Sequence, residues 1–215
     1  MIRGTPRMTL PFDLYLVVSG GEPELERAIA ALRTAPSGRV AVQARWKDEP
    51  DAVVLSRTAR LRIAAAPQGI PVLVSGRPDL ARAAGASGVH LPERGGGVHE
   101  ARAALCARAL VGASCHERIG VLARAEEGAD FVTLGPIGEV PNKGPALDAA
   151  AFGAIARTVA TPVLALGGVL GGRDVARVMA LGARGIAVQR AICAAAEPEV
   201  ALRALLDALD AARPR

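Results

Sequence analysis

The sequence predicts an α/β protein, a single-domain (β/α)8 (TIM) barrel over residues 1–215, and three observations lead to this fold class. Short apolar runs alternate with amphipathic helical patterns eight times along the chain. The join from helix to strand recurs as Gly-Ala-x in AAGASGVHL (83–91), EEGADFVTL (126–134) and ALGARGIAV (180–188). No linker or low-complexity stretch separates a second domain. Eight even β/α units in 215 residues indicate a closed parallel barrel.

The candidate strands are continuous apolar runs, as is typical of parallel strands with helices packed on the outer face. They are 13–19, 39–46, 71–75, 88–92, 110–115, 131–135, 162–167 and 185–189. Apolar residues recur at helical spacing after each strand, for example at Ala151, Ile155 and Val159. The glycine of each repeated join is predicted to end its helix in the left-handed conformation. A doubly wound open sheet is the alternative. It is disfavoured by the even repeats and by the absence of Gly-x-Gly-x-x-Gly after the first strand.

Composition excludes several classes of function. The net charge is +5, but the basic residues are dispersed among acids and aromatics make up only 2% of the chain, which disfavours nucleic-acid binding. No apolar run approaches the roughly 18–20 residues that span a membrane, and the first 20 residues do not resemble a signal peptide. The three cysteines are scattered and show no metal-ligand spacing. We expect a cytoplasmic protein that binds neither membrane nor nucleic acid and that forms a homo-oligomer or a monomer.

In a barrel of this kind the reacting groups lie on the loops at the carboxyl ends of the strands. The second strand ends with Gln43, Arg45 and Lys47 on one side and Ala44 and Trp46 on the other. Polar groups on the buried side of a strand are costly unless they line a site. We therefore predict substrate contacts from Gln43, Arg45 and Lys47, with a solvated strand end as the alternative.

The chain contains only two lysines, and both fall on this predicted active face. Lys143 lies in the Gly- and Pro-rich loop GPIGEVPNKG (135–144) after the sixth strand, placed like a lid or a ligand clamp. In a chain whose other cations are arginines, this placement favours contacts of Lys47 and Lys143 with a phosphate or a carboxylate.

The loops after the seventh and eighth strands commonly bind phosphate in this fold. Gly167 and Gly168 allow backbone N–H groups to approach an anion closely, and Gln189 and Arg190 follow the last strand. We predict a phosphate site at these four residues; a turn without a ligand is the alternative for the glycines.

The fifth strand ends with Gly112, Ala113, Ser114, Cys115 and His116. Ser114 and His116 alternate with Cys115, which disfavours a Cys–His pair. We predict a substrate contact from Ser114, and His116 is the candidate for proton transfer. A surface or helix-capping histidine is the alternative. His90, in the middle of the fourth strand, is predicted to be a core residue or to support the site from behind.

In chain order, LYLVVS, VQARWK, SGRPDLARAAGASGVHLP, VGASCH, GADFVTLGPI…NKG, PVLALGG and GARGIAVQRAI resemble the motifs of thiamine phosphate synthases and of their relatives, the thiazole tautomerases. The resemblance covers about residues 13–193. It implies a (β/α)8 barrel that acts on a thiazole phosphate carboxylate, with Arg77 among the anion-binding residues and His116 at the position of the tautomerases' acid/base histidine.

The resemblance also implies a Mg²⁺ site in the synthases, built from an Asn-Asp-Arg motif and a second Asp. Here these positions fall on Ser75-Gly76-Arg77 and about Gly95, and Glu93 is the only acid nearby. One carboxylate rarely replaces two for a hard divalent ion. We therefore expect no metal and no cofactor, and Mg²⁺ only if the protein is a synthase.

Three hypotheses follow for function. The first is a metal-independent thiazole tautomerase-like isomerase that binds a phosphorylated thiazole and uses His116 for proton transfer. The second is a divergent thiamine phosphate synthase, which joins an aminopyrimidine pyrophosphate to the thiazole phosphate. The third is a non-catalytic protein that binds thiazole phosphate or thiamine phosphate.

Overall fold

The computed structural model describes residues 10–141 and 144–213 and confirms the barrel. Eight parallel strands close on themselves in sequence order, with β1 paired to β2 on one side and to β8 on the other. The strands are β1 (Leu14–Val18), β2 (Val40–Ala44), β3 (Val72–Ser75), β4 (Gly88–Leu91), β5 (Leu110–Cys115), β6 (Phe131–Leu134), β7 (Val163–Leu166) and β8 (Gly185–Val188). Each lies within the run that the sequence predicted.

A helix follows every strand and packs around the barrel. The helices are α1 (Glu22–Thr34), α2 (Asp51–Ala65), α3 (Pro78–Ala83), α4 (Val98–Ala104), α5 (Arg118–Glu126), α6 (Ala149–Thr158), α7 (Gly172–Ala180), α8 (Arg190–Cys193) and α9 (Pro198–Ala212). Gly85, Gly128 and Gly182 have φ values of 59°, 83° and 102°, so the left-handed helix ends predicted at the repeated joins are confirmed. No helix in residues 10–141 and 144–213 is long and apolar enough to span a bilayer.

The apolar core has two layers. The larger layer lies between the strands and the helices and consists mostly of alanine, valine and leucine. The smaller layer fills the barrel interior and contains Phe12, Tyr15 and Phe131. The rings of Phe12 and Tyr15 lie 5.3 and 5.1 Å from Phe131, edge to face. These aromatics fill the lower part of the barrel, and a cavity opens above them toward the carboxyl ends of the strands.

An ionic cluster closes the opposite end of the barrel. Asp13, just before β1, is almost fully buried and accepts hydrogen bonds from Arg39 at 3.1 Å and from Arg213. Arg39 and Arg213 also pair with Asp210 at the end of α9. The cluster ties the carboxyl-terminal helix to the barrel floor, away from the predicted active face.

Candidate active site

A cavity of about 440 Å³ opens at the carboxyl ends of the strands, where the fold predicts the site. It brings together most of the side chains that the sequence singled out. The predicted site residues that line it are Gln43, Arg45, Lys47, Ser114, His116, Gly167, Gly168, Gln189 and Arg190. Lys143, predicted to bind substrate, lies outside the described residues.

The end of β2 supplies one wall of the cavity. Gln43 is 4% exposed, and its amide makes no hydrogen bond within the described part of the chain. Trp46 points to the opposite side, as predicted, and its Nε1–H donates to the Gly20 carbonyl at 2.8 Å. The strand therefore presents Gln43, Arg45 and Lys47 to the cavity and anchors itself through Trp46.

The ends of β7 and β8 supply the opposite wall. Gly167 and Gly168 have φ values of 87° and 75°, a left-handed pair that side-chain-bearing residues rarely adopt. The Gln189 amide donates to the Ser19 hydroxyl at 2.7 Å, so its orientation is fixed from β1. Arg190 lies next to it, exposed at the rim.

The loop after β6 packs directly on these glycines. The Ile137 N–H donates to the Leu166 carbonyl at 3.0 Å, and the Gly138 N–H donates to the Gly167 carbonyl at 3.1 Å. These bonds fasten the loop to the end of β7. They place Val140 and Pro141 against the cavity, so this segment forms a wall of the site.

His116 is held by Glu93, a contact that sequence reasoning missed. The Glu93 carboxylate accepts from the His116 backbone N–H at 3.0 Å and lies 2.8 Å from ring atom Nδ1. Because Nδ1 faces the carboxylate, Nε2 is left for a ligand. The available signal was that Glu93 is the only acid near the end of the fourth strand, where it was a candidate metal ligand rather than a partner of a histidine.

Arg124 fixes the loop that carries Glu93. Its guanidinium is largely buried and donates to the carbonyls of Pro92, Glu93 and Gly96 at 3.1–3.3 Å. Three carbonyl contacts from one rigid guanidinium restrict the loop, so the carboxylate that orients His116 is itself positioned.

His90 lies beneath the cavity, buried in the barrel as predicted. Its Nε2 lies 3.0 Å from the Ser114 hydroxyl and 3.4 Å from the Thr133 hydroxyl, both of which line the cavity. Burial, reinforced by the nearby charges of Arg45 and Lys47, lowers the pKa of His90 to about 3. The imidazole is therefore neutral and acts as a hydrogen-bonding support for the floor of the site.

Arg77 is the predicted ligand that the structure does not bring into the cavity. Its guanidinium forms ion pairs with Asp51 at 3.0 Å and with Asp79 at 2.7 Å. Hydrogen bonds to these carboxylates raise the pKa of Arg77, and the bond from Arg77 lowers the pKa of Asp79. The sequence placed Arg77 near the site through the resemblance alone, and it could not show that α2 and α3 supply two competing carboxylates.

The described residues do not fit the Mg²⁺ site implied by the resemblance. Within residues 10–141 and 144–213, no group of three or more His, Cys, Asp or Glu side chains is arranged to hold a metal ion. The acid nearest to the cavity, Glu93, is engaged by His116. Among the described residues that line the cavity there is one carboxylate, so the cavity offers no carboxylate pair for a hard divalent cation.

The fold and the site together define a class: a (β/α)8-barrel protein with a cavity at the strand ends whose described lining contains three Lys or Arg side chains and one acid. A family model described as thiamine monophosphate synthase matches residues 14–192. The chain belongs to this family.

Individual relatives agree with this assignment. The chain is 39% identical to a thiamine-phosphate synthase of Anaeromyxobacter dehalogenans, covering 93% of this chain and 89% of the relative. It is 36% identical to a putative thiamine-phosphate synthase of Geobacter sulfurreducens, covering 91% and 93%. A solved thiamine phosphate pyrophosphorylase from Pyrococcus furiosus superposes with a TM-score of 0.82 over 95% of this chain and 98% of that one; at 24% identity it supports the fold alone.

Proposed function

We propose that this protein is a transferase of the thiamine phosphate synthase type, which joins an aminopyrimidine pyrophosphate to a thiazole phosphate. The names of the relatives favour this reaction over the isomerase expected from the sequence. The structural observation that carries the proposal is the charge of the cavity. Its described lining contains Arg45, Lys47 and Arg190 but a single acid, Glu93, which is paired with His116.

Such a cavity suits a reaction between two phosphorylated heterocycles. The C–O bond between the pyrimidine methylene group and its pyrophosphate breaks, and the leaving group takes the electron pair. A new bond forms from that methylene carbon to the thiazole ring. Cations placed where negative charge develops stabilise the departing pyrophosphate, because they need no reorganisation as the bond breaks.

Other lining residues serve to hold the heterocycles. Gln43 offers both an amide donor and an acceptor from a buried position, and Ser114 offers a hydroxyl oriented by His90. Gly167 and Gly168 expose backbone to the phosphate of the thiazole, with Gln189 and Arg190 beside them. These assignments place the two ring systems near the centre of the cavity, with their phosphates at its rim.

The isomerase is the second candidate function, and the His116–Glu93 pair favours it. A histidine whose Nδ1 is held by a carboxylate presents Nε2 for proton transfer, which is the arrangement that acid–base catalysis needs. The transfer would remove a proton from one carbon or nitrogen of the dihydrothiazole and return one at another, with no net change in composition.

One experiment separates the candidates. The purified protein is incubated with the aminopyrimidine pyrophosphate plus thiazole phosphate and, separately, with the dihydrothiazole isomer, and the products are followed by chromatography. Formation of thiamine phosphate with release of pyrophosphate supports the transferase. Isomerisation alone, abolished in His116→Gln, would reject the transferase in favour of the isomerase. Ligand binding without either product would indicate a non-catalytic binding protein.

A further inference from the structure

The ring of Pro92 lies beside Gly76, at the end of β3, and beside Gly95, in the loop after β4. A Cβ atom placed on Gly95 would lie 2.7 Å from Pro92 Cγ, closer than real Cβ atoms approach. A Cβ on Gly76 would lie 3.6 Å from Pro92 Cδ, and Gly76 has a φ of 68°. Side chains at both positions would therefore point toward Pro92, which itself lines the cavity. An acidic residue cannot replace Gly95 unless the ring of Pro92 moves.

The acids around this region are already paired. Asp51 and Asp79 bind Arg77, and both oxygens of Glu93 contact His116. Recruiting any of them to a metal would break an existing ion pair or hydrogen bond. The strand ends that the family resemblance assigns to a metal thus contain a proline ring, glycines and acids that already contact Arg77 or His116.

Positive charge is available in the same cavity without a metal. Within the described part of the chain, the guanidinium groups of Arg45 and Arg190 form no hydrogen bond or ion pair. Lys47 lies with Arg45 on the cavity side of the β2 end, and Arg190 follows β8, so the cations flank β1 on its two sides. An arginine that has no carboxylate partner and lies at the edge of a cavity can bind a phosphate through two parallel N–H···O hydrogen bonds.

We propose that the cavity binds inorganic pyrophosphate, and the pyrophosphate group of the substrate, without a divalent cation, and that Arg45, Lys47 and Arg190 balance its charge. The proposal rests on the transferase function for the identity of the ligand. It deepens that function by assigning the charge-neutralising role to side chains of the protein.

The test measures binding of inorganic pyrophosphate to the full chain by calorimetry, with EDTA in one series and millimolar Mg²⁺ in the other. Trp46, the only tryptophan in the chain, lies between Arg45 and Lys47 in sequence and gives an independent fluorescence signal. We expect binding in EDTA that is as tight as in Mg²⁺ or tighter, because Mg²⁺ competes with the protein for the free anion. Tightening of roughly tenfold or more by Mg²⁺ would overturn the proposal, as would absence of binding in both series.

Two cavity variants test where pyrophosphate binds. Arg45→Gln and Arg190→Gln should each weaken pyrophosphate binding in EDTA by roughly tenfold or more, because each removes a charge-assisted contact. Arg203→Gln, which changes an exposed arginine on α9, is the matched control and should bind as wild type does. Circular dichroism and thermal unfolding check that the variants fold. Unchanged affinity in both folded cavity variants would place the anion elsewhere and contradict the proposal.

Failure of this inference is distinguishable from failure of the proposed function. Thiamine phosphate formation that requires Mg²⁺, together with Mg²⁺-dependent pyrophosphate binding, would retain the transferase and reject the metal-free site. Pyrophosphate binding in EDTA without product from the two precursors would retain the site and reject the transferase.

Discussion

Replacing Gly168 with alanine tests how the β6 and β7 loops build the cavity. The new Cβ would lie 2.6 Å from Gly138 Cα and 2.8 Å from Gly138 C, which are backbone atoms that cannot rotate away. The residue would also have to keep a φ of 75°, a conformation that disfavours side chains. The substitution therefore acts on the contact through which the 135–141 segment is held.

The expected loss of stability in Gly168→Ala has two contributions, the left-handed backbone conformation and the overpacked contact. A left-handed conformation costs a non-glycine residue about 1–2 kcal/mol, and overpacking a tight contact costs about 1–3 kcal/mol. If the whole fold absorbed both, the free energy of unfolding would fall by about 2–5 kcal/mol, a large share of a typical domain's stability. In a chain of this length that corresponds to a decrease in Tm of about 10 °C.

The 135–141 segment can instead move away from the new side chain, and the substitution then weakens ligand binding more than it destabilises the fold. Displacing Gly138 breaks its 3.1 Å hydrogen bond to the Gly167 carbonyl and shifts Val140 and Pro141, which form part of the cavity wall. In that case Tm decreases less, and the affinity for pyrophosphate or thiazole phosphate falls by roughly tenfold or more.

Calorimetric binding and thermal unfolding are measured together on Gly168→Ala and on Gly171→Ala. Gly171 belongs to the same loop, but its φ of −169° is extended, and no heavy atom lies within 4 Å of the position of its Cβ. The control should therefore bind as wild type does and unfold within about 3 °C of it. A Gly168→Ala protein with wild-type Tm and wild-type affinity would refute the reasoning.

Three further perturbations are expected to have measurable effects. Glu93→Gln removes the carboxylate that holds His116 and should lower turnover of the dihydrothiazole isomer about tenfold, with ligand affinity changed less than about twofold; equal isomerase turnover in Glu93→Gln and in the surface control Glu126→Gln would contradict this. Because burial holds the pKa of His90 at about 3 rather than 6.5, the unfolded chain binds a proton that the folded chain does not. The free energy of unfolding should therefore fall by about 1.4 kcal/mol per unit as the pH drops below about 6.5, and a His90→Gln variant that keeps this slope down to about pH 5 in urea titrations would rule out the assignment. Asp13→Asn leaves two arginines without their buried carboxylate and should lower the free energy of unfolding by about 2–3 kcal/mol, less than for a fully buried pair because the arginines are partly exposed. A urea midpoint equal to that of wild type would show that the cluster adds nothing to stability.

Much of the fold was predictable because barrel strands carry their signal locally. A strand with helices packed over its outer face needs a continuous apolar run, and all eight runs contain the observed strands. The left-handed glycines at 85, 128 and 182 were predictable for the same reason, since a helix end needs such a residue wherever it occurs. The rule that function lies at the carboxyl ends of the strands then selected Gln43, Arg45 and Lys47, which do line the cavity.

The partners of the site residues were not predictable in the same way. Glu93 and His116 are 23 residues apart, Arg77 and Asp51 are 26 apart, and their contacts depend on how neighbouring loops pack. A carboxylate read from the sequence could equally hold a metal, a histidine or an arginine. Only its position in space decides which positive group is within reach.

The sequence by itself determined the barrel, the end of the barrel at which the site lies, the family, and the absence of carboxylates at positions 76 and 95. The tertiary structure decided what takes their place. The ring of Pro92 contacts both positions and leaves no room for a Cβ atom at position 95, Arg77 is paired away from the cavity, and Glu93 orients His116. The physical reason is that backbone periodicity is written in local residue order, whereas the charge balance of a site depends on side chains from several loops that meet only when the barrel closes.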